Sequence, residues 1–397
     1  MSTPLKPDRV LVRYGEIGLK TPGVRRYLEG LLSNHLGVML TRQVVSYSKI
    51  TRERGRFFIQ TTDAETAAEA ASRVFGVVST SPVWTVSSNP DKIINQVKAL
   101  TSSFISEGQS FAVRVRRVKT HPFTSQEIAS QVGAAIIEVT GQKHSAAPVD
   151  LDNPNVEIHI EIREKSSYIF TTVIEGPGGF PYGSQGTVLG LHSGGLDSPV
   201  AQWLMMKRGA HVIPLYFGSD VPPKQSLRTR AIQSAKILAQ WIPHTKTELL
   251  IIPYYEILRQ LSRSKYPKIT CVLCKRMMYR MGAMVAAQEG AKALVTGETL
   301  GQVASQTLDN LAVLDSAIAL PIFRPLIGID KSQTMNLARR IGSYDASSKD
   351  VGDCFAVPNK PTIAASLEQI HEAEAALNIP EIVTNAISQL ERVTLAK

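Results

Sequence analysis

The stretch from Leu189 to Val200, LGLHSGGLDSPV, decides how this chain is read. An apolar run, Thr187 to Leu191, leads into Ser193-Gly194-Gly195-Leu196-Asp197-Ser198, and the segment Pro199 to Lys207 follows with helical patterning. That order is strand, glycine turn, helix start. Adjacent glycines let backbone N–H groups approach an anion with no Cβ in the way, and a helix N-terminus behind them carries a partial positive charge. The loop is therefore expected to cradle phosphate. Ser and Asp are also ordinary helix caps, so further residues are needed to name the chemistry.

No Gly-Lys-Ser/Thr follows the glycines, which excludes a Walker A loop. Ser-Gly-Gly-Leu-Asp-Ser instead resembles the PP-loop of ATP pyrophosphatases, enzymes that hold the pyrophosphate of ATP while a carbonyl oxygen attacks the α-phosphate. The chain beyond it supports the setting. GTVLGLH precedes a helix from Pro199 to Arg208; HVIPLYF precedes one from Lys224 to Trp241; ELLIIP precedes Tyr254 to Leu261. A helix around Arg276 to Gln288 comes next, and ALVTG precedes Gly301 to Leu314. Alternation of this kind predicts a doubly wound parallel sheet with its ligand at the carboxyl ends of the strands.

A chain of 397 residues exceeds one ordinary core, and at about 100 to 200 residues per domain two or three are expected. Its composition is that of a globular protein rather than a disordered one. No apolar run approaches the roughly 18 residues of a membrane span, and MSTPLKPDRV lacks the apolar core of a signal peptide, so a cytoplasmic location is expected. Lys and Arg number 44 against 34 acidic residues, a net charge of +10, which favours a polyanionic partner once the charges cluster. Three cysteines, Cys271, Cys274 and Cys354, are too few for a disulfide scaffold and suit metal or sulfur chemistry in a reducing compartment.

The amino-terminal half reads differently. VLVRYGEIGLK is a short strand ending in a glycine turn, Val24 to Leu36 is helical, and VVSYSKITRERGRFFIQTT holds two β-rich runs around the charged turn Arg52 to Gly55, together a small α+β unit. The basic residues there, Arg42, Lys49, Arg52, Arg54 and Arg56, are read as a solvated hairpin. After an alanine-rich helix, Ala64 to Val74, a second unit opens with FGVVSTSPVWTV. Its strand SFAVRVRRVKTHPF alternates Phe111, Val113 and Val115 on one face with Arg114 and Arg116 on the other, and Arg117 and Lys119 extend the basic edge. With the helix Ser125 to Thr140 and the strand VEIHIEIR, this is a sheet backed by helices whose rim suits RNA backbone contact. Glu175 to Gly186, with five glycines and two prolines, marks a boundary.

RYGEIGLK, FAVRVRRVKTHPFTSQEIASQVGAAI, VDLDNPNVEIHIEI and GPGGFPYGSQGTVLGLHSGGLDSPVA together resemble the tRNA 4-thiouridine synthetase family, the tRNA sulfurtransferases. The resemblance implies three domains: residues 1–65 ferredoxin-like, 66–174 a THUMP RNA-binding domain, and 175–397 the PP-loop ATP pyrophosphatase. It implies that Ser193, Gly194, Gly195, Asp197 and Ser198 hold the phosphates of ATP, with Asp197 serving Mg²⁺ or the adenylate geometry. Leu191, His192, Tyr216, Phe217, Lys275, Gly297 and Gln306 carry over as further ATP contacts, with Gly297 at a strand end and Gln306 on the following helix. His192 fits a packed, hydrogen-bonded histidine as well as a phosphate donor, and no catalysis is assigned to it.

The implied substrate sets the chemistry. A uridine C4 oxygen is a poor leaving group until adenylated, after which a sulfur nucleophile displaces AMP, and a cysteine near the cradle carries or assists the sulfur. Cys354, in DVGDCFAVPNKPT, matches the family's sulfur-handling cysteine. Only 43 residues follow it, too few for the rhodanese domain of many bacterial relatives. Cys271-Val-Leu-Cys274 with Cys354 resembles the three-thiolate set that holds a [4Fe-4S] cluster in archaeal members; a persulfide on Cys354 resolved by Cys271 or Cys274, and structural zinc, are the competing readings. Expected partners are tRNA, a sulfur donor (a cysteine desulfurase persulfide or sulfide) and a second copy of the chain as a homodimer. Sulfur transfer to a carrier protein for thiamine thiazole synthesis, and an RNA-binding protein with a degenerate nucleotide site, are the alternatives; intact SGGLDS argues against degeneracy.

Overall fold

A computed structural model describes residues 6–53, 55–143, 145–221, 226–244, 246–352 and 354–396. Two sequence expectations touch residues outside these: Arg54 in the charged turn, and Lys224 as the start of a helix. The chain divides into two units, one ending at Gly179 and the other beginning at Phe180.

The first unit runs β1 (Arg9–Tyr14), α1 (Pro22–Arg42), β2 (Lys49–Glu53), β3 (Arg56–Gln60), α2 (Ala64–Ser72), β4 (Val77–Ser87), α3 (Pro90–Phe104), β5 (Phe111–Arg117), α4 (Ser125–Lys143), β6 (Val156–Ile162), β7 (Ser166–Phe170) and β8 (Ile174–Glu175). Its sheet has the order β2-β3-β1-β4-β7-β6-β5, with β8 against β4. The eleven-residue β4 is the shared central strand, pairing antiparallel with β1 through its first part and with β7 through its last. Alanines make α2 thin enough to lie on that sheet: Ala64, Ala67, Ala68 and Ala71 are buried, and the Thr80 hydroxyl donates to the Ala68 carbonyl at 2.8 Å. The basic strand β5 is an edge, paired in parallel with β6 alone among the named strands. Helix α3 was not anticipated; Asn89 caps it through the Lys92 N–H, and Ile93, Val97 and Leu100 bury against Ile128, Val132 and Ile136 of α4.

The second unit contains β9 (Thr187–Leu191), α5 (Asp197–Lys207), β10 (His211–Gly218), α6 (Ser226–Ala239), β11 (Thr247–Pro253), α7 (Tyr255–Leu261), α8 (Thr270–Gln288), β12 (Leu294–Val295), α9 (Leu308–Asp315), β13 (Ile322–Phe323), α10 (Lys331–Ile341), α11 (Tyr344–Ser347), α12 (Leu367–Ala375), α13 (Ile379–Ser388) and β14 (Glu391–Ala396). Strand order is β13-β12-β9-β10-β11-β14; the first five are parallel and β14 closes one edge antiparallel. Buried apolar runs on β9, β10 and β11 fit strands covered on both faces.

Helix α1 runs past Leu36 to Arg42, so Arg42 belongs to that helix and not to the hairpin, and two further helix boundaries depart from the sequence reading. Helix α8 begins at Thr270 rather than near Arg276, so Cys271 and Cys274 lie in its first turns; a 3-10 turn, Pro267–Ile269, leads straight into it. Gln306 is on a separate 3-10 turn, Ala304–Gln306, because Thr307 adopts an extended conformation and caps α9 through the Asn310 N–H. Among the described residues no helix is long and apolar enough to cross a membrane.

A buried carboxylate shared by two arginines ties α8 to α12. Arg276, 1% exposed, donates from Nε to Glu374 Oε1 at 2.7 Å and from Nη2 to Oε2 at 3.2 Å, joining α8 to α12. Arg280 bonds the same two oxygens at 2.6 and 2.8 Å, so Glu374 keeps a counter-charge without Arg276, whereas removing Glu374 leaves the buried Arg276 guanidinium uncompensated, at a cost of about 3–5 kcal/mol. Glu374→Met is expected to lose stability on that scale in urea denaturation followed by the fluorescence of Trp203 and Trp241, whose rings meet edge-on in the same unit; a loss below about 1 kcal/mol would refute it.

Candidate nucleotide site

The carboxyl ends of β9, β10 and β12 open on a cavity of about 550 Å³. Of the residues expected at the site, Leu191, His192, Ser193, Gly195, Asp197, Ser198, Tyr216, Phe217, Lys275, Gly297, Gln306 and Cys354 line it. Gly194, Cys271 and Cys274 are not among the lining residues.

The loop is curled by its own hydroxyls. Ser198 Oγ accepts from the Ser193 N–H at 3.1 Å, and Ser193 Oγ accepts from the Gly195 N–H at 3.2 Å. No side chain caps α5, and Leu196 at its N-cap is already helical, so the first-turn N–H groups face the loop as an anion site. Gly194 has φ +72°, and a Cβ there would stand 2.6 Å from Ala231 Cα; it is glycine because the loop lies directly on α6. Gly297 is glycine for a similar reason, since a Cβ would stand 2.8 Å from the Asp197 carbonyl carbon and 2.9 Å from Ser198 N.

His192 turns away from the phosphate region. Its Nε2 lies 2.7 Å from Ser234 Oγ and 3.1 Å from the Ala231 carbonyl, and burial lowers its pKa to about 4. It is a neutral packing residue that ties β9 to α6.

The strongest charges at the site were only partly legible in the sequence. Glu298, 5% exposed, meets Lys275 Nζ at 2.9 Å through Oε1, while Oε2 accepts from Arg324 Nε and the Tyr279 hydroxyl, each at 2.7 Å, and from Thr296 Oγ1 at 3.1 Å. Burial raises its carboxyl pKa, but Lys275, Tyr279 and Arg324 outweigh that and bring it to about 2. Asp197 Oδ1 meets Lys331 Nζ at 2.7 Å, and its Oδ2 accepts from Gln302 Nε2 at 3.1 Å. Tyr279, Arg324, Gln302 and Lys331 sit in segments whose spacing bears no motif, so no local signal marked them.

Cys354 is exposed and faces the cavity. Cys274 is half-buried, its thiol pushed up to about 12 by desolvation, and the Tyr254 hydroxyl donates to its carbonyl at 3.0 Å. Cys271 is half-buried and its thiol is also raised by burial, and Cys271, Cys274 and Cys354 lie within electrostatic reach of one another. Among the described residues no three His, Cys, Asp or Glu side chains form a metal-holding group.

In the first unit, the basic strand is partly engaged by its own neighbours. Arg114 Nε donates to Glu157 at 2.9 Å, Arg117 donates to the His121 carbonyl at 3.1 Å, Lys119 pairs with Glu164, and Arg116 is exposed. Beside it Arg56 and Arg163 share the buried Glu161, with Arg13 in electrostatic reach; burial lowers the Arg13 pKa to about 10. Lys119, Arg163 and Lys165 line a neighbouring cavity of about 660 Å³. Arg13, Arg163 and Lys165 had not been picked out in the sequence, because strands distant along the chain bring them together.

Known proteins match this chain along nearly its whole length. The family described as thiamine biosynthesis protein (ThiI) matches residues 183–379, the THUMP domain 87–172, and the ThiI ferredoxin-like domain 9–81. A probable tRNA sulfurtransferase of Methanosarcina acetivorans is 40% identical over 98% of this chain and 94% of its own. A tRNA sulfurtransferase of Pyrobaculum aerophilum is 38% identical over 95% of this chain and 76% of its own. A crystal structure of a 4-thiouridine synthetase in complex with RNA and bound ATP superposes with TM-score 0.81 at 28% identity, covering 98% of this chain and 100% of that one.

The depressed Glu298 carboxyl makes the second unit acid-sensitive. Its contribution is fully present above the ordinary value of 4.5 and is lost as pH falls from there through about 2, on the order of 3 kcal/mol in all. Glu298→Gln should lower the urea midpoint at pH 6 and show a smaller further fall than wild type between pH 5 and pH 3; parallel pH profiles for the two proteins would contradict the assignment.

Proposed function

The chain belongs to the tRNA sulfurtransferase family, and on that premise we propose that it adenylates the C4 oxygen of uridine 8 in tRNA and replaces that oxygen with sulfur, giving 4-thiouridine. The observation that carries the reading is the meeting of the phosphate loop and the exposed Cys354 in one cavity. In the first step the C4 oxygen forms a bond to the α-phosphorus of ATP. The bond from that phosphorus to the bridging oxygen breaks with its electron pair to pyrophosphate, and the uridine N3 proton passes to solvent. In the second, hydrosulfide bonds to C4 through sulfur, AMP departs with the C4–O electron pair, and the S–H proton moves to N3. Where the donor is a persulfide on Cys354, its outer sulfur forms the same bond as AMP departs; the Cys271 or Cys274 thiolate then attacks Cys354 Sγ, breaking the S–S bond and closing a disulfide, while N3 takes a proton from solvent.

The working parts follow the division 1–65 ferredoxin-like, 66–174 THUMP and 175–397 PP-loop pyrophosphatase. Ser193, Gly195, Ser198 and the N–H groups of the first turn of α5 hold phosphate oxygens; Leu191, Tyr216 and Phe217 flank the adenine. Gly194 and Gly297 permit the close packing that shapes the loop. Lys275, oriented by Glu298, and Gln306 complete the nucleotide contacts, and His192 supports the loop from behind. Asp197 is suited to Mg²⁺, for its carboxylate already accepts a cation, the Lys331 ammonium, in this structure. Arg114, Arg116, Arg117 and Lys119 contact tRNA phosphates, and the active form is a homodimer fed by a persulfide or sulfide donor.

The cysteines fit an iron–sulfur cluster by donor chemistry: three thiols, two of them one helical turn apart, all in mutual electrostatic reach. Held by Cys271, Cys274 and Cys354, a [4Fe-4S] cluster would keep one iron open to exogenous sulfide. Because the thiols are not closed into a metal-holding group among the described residues, neither reaction step above depends on it.

Asp197→Ala is expected to abolish AMP release from ATP in the presence of tRNA while tRNA affinity, measured by filter binding, stays within about twofold; wild-type AMP release would remove Asp197 from the mechanism. Anaerobically purified protein should be brown, with iron and acid-labile sulfide lost together in Cys271→Ala, Cys274→Ala or Cys354→Ala. A colourless, iron-free protein that still thiolates tRNA would leave persulfide chemistry on Cys354 instead.

A further inference from the structure

Arg230, on α6, lines the nucleotide cavity alongside Ser193, Gly195 and Cys354. Its position is set by the loop itself, because a Cβ on Gly194 would stand 3.0 Å from the Arg230 carbonyl carbon and 2.7 Å from Ala231 N. The middle of the phosphate loop therefore abuts the backbone from which this guanidinium projects.

Charge distinguishes Arg230 from the other basic residue lining the cavity. Lys275 is neutralised by Glu298 at 2.9 Å. Among the described residues, no carboxylate lies within ion-pair distance of Arg230. Among these residues its Nε is buried with no hydrogen-bond partner, and Nη1 makes a long contact, 3.5 Å, to the Lys349 carbonyl. Asp220 is in electrostatic reach, but its oxygens accept the Leu227 and Arg228 N–H groups, each at 2.9 Å. Burial lowers the Arg230 pKa from its ordinary value, yet a guanidinium keeps its proton at neutral pH. A half-buried, charged fork with an unmet donor is suited to phosphate oxygens, which can accept two parallel N–H bonds.

We infer that Arg230 binds the β- and γ-phosphoryl oxygens of ATP and holds the pyrophosphate as it departs. The inference rests on the ATP site proposed above. The leaving end is indicated because Arg230 adjoins the centre of the loop, whereas the adenine is assigned to the strand ends at Leu191 and Phe217. As the bond to the α-phosphorus breaks, the electron pair goes to the pyrophosphate oxygen, and a fixed guanidinium there meets the charge as it grows.

The test titrates the full chain and its Arg230→Met and Arg230→Lys variants with ATP, pyrophosphate and AMP by calorimetry, with thermal melting as a control for folding. Loss of a charge-assisted contact predicts that Arg230→Met weakens ATP and pyrophosphate about 10- to 100-fold while AMP stays within about twofold. Arg230→Lys, which keeps the charge and loses the fork, should recover part of the loss. Wild-type affinity for ATP and pyrophosphate in Arg230→Met would overturn the inference and leave the ATP site standing. Equal weakening of all three ligands would also overturn it, reducing Arg230 to a tether for the backbone at Lys349. If the wild-type chain binds none of the three, the ATP site fails and the inference fails with it.

Discussion

A single buried carboxylate holds the nucleotide site together. Glu298 sits just beyond the end of β12 and receives Lys275 and Tyr279 from α8, Arg324 from the segment after β13, and Thr296, the residue that follows β12. Apolar packing of α8 against Leu189 and Leu294 sets the helix on the sheet, and Glu298 continues that alignment to the rim of the open cavity, where polar groups line the wall. A carboxylate there would be costly without partners, so its presence requires all of them. The same arrangement orients Lys275 along the cavity wall and keeps the acid ionised, and Arg324 extends it to Asp315 on α9.

The loop's shape depends on contact with other elements as much as on its own residues. Gly194 rests on α6, and Gly297 presses against the first residues of α5, so two backbone segments approach more closely than any side chain would allow. His192 adds a hydrogen bond from β9 to the same helix. Helix α6 thereby becomes part of the site, contributing Arg230 to the wall, although nothing in its sequence resembles a nucleotide motif. The uncapped N-terminus of α5 is a corollary, since a capping side chain would occupy the position an anion needs.

In the first unit the positive charge is organised rather than merely abundant. The net charge of +10 includes a group of arginines around Glu161, and the buried acid lets Arg56 and Arg163 be held close despite their repulsion. On β5 several cations bond to neighbouring acids or carbonyls, which positions them along the edge strand. A rigid, spaced set of cations suits a polyanion with regular phosphate spacing better than loose lysines do.

How much the sequence determined by itself follows from the range of the forces involved. The alternation of apolar runs and helices from Thr187 onward specified the parallel sheet, because burial on both faces demands it locally, and SGGLDS marked its anion-binding turn. The strands β5 and β6 were legible from two-residue alternation, and β1 and β3 as short β-rich runs. Tertiary structure decided what local pattern does not encode: that β4 serves as the shared centre of one continuous sheet, that β14 returns antiparallel to the edge of the other, and that α8 starts early enough to carry Cys271 and Cys274. It also decided the partners of Glu298 and Asp197, for Arg324 and Lys331 lie 26 and 134 residues away along the chain. Periodicity reports which face of an element is buried. Only the folded chain reports which distant charge is buried against it.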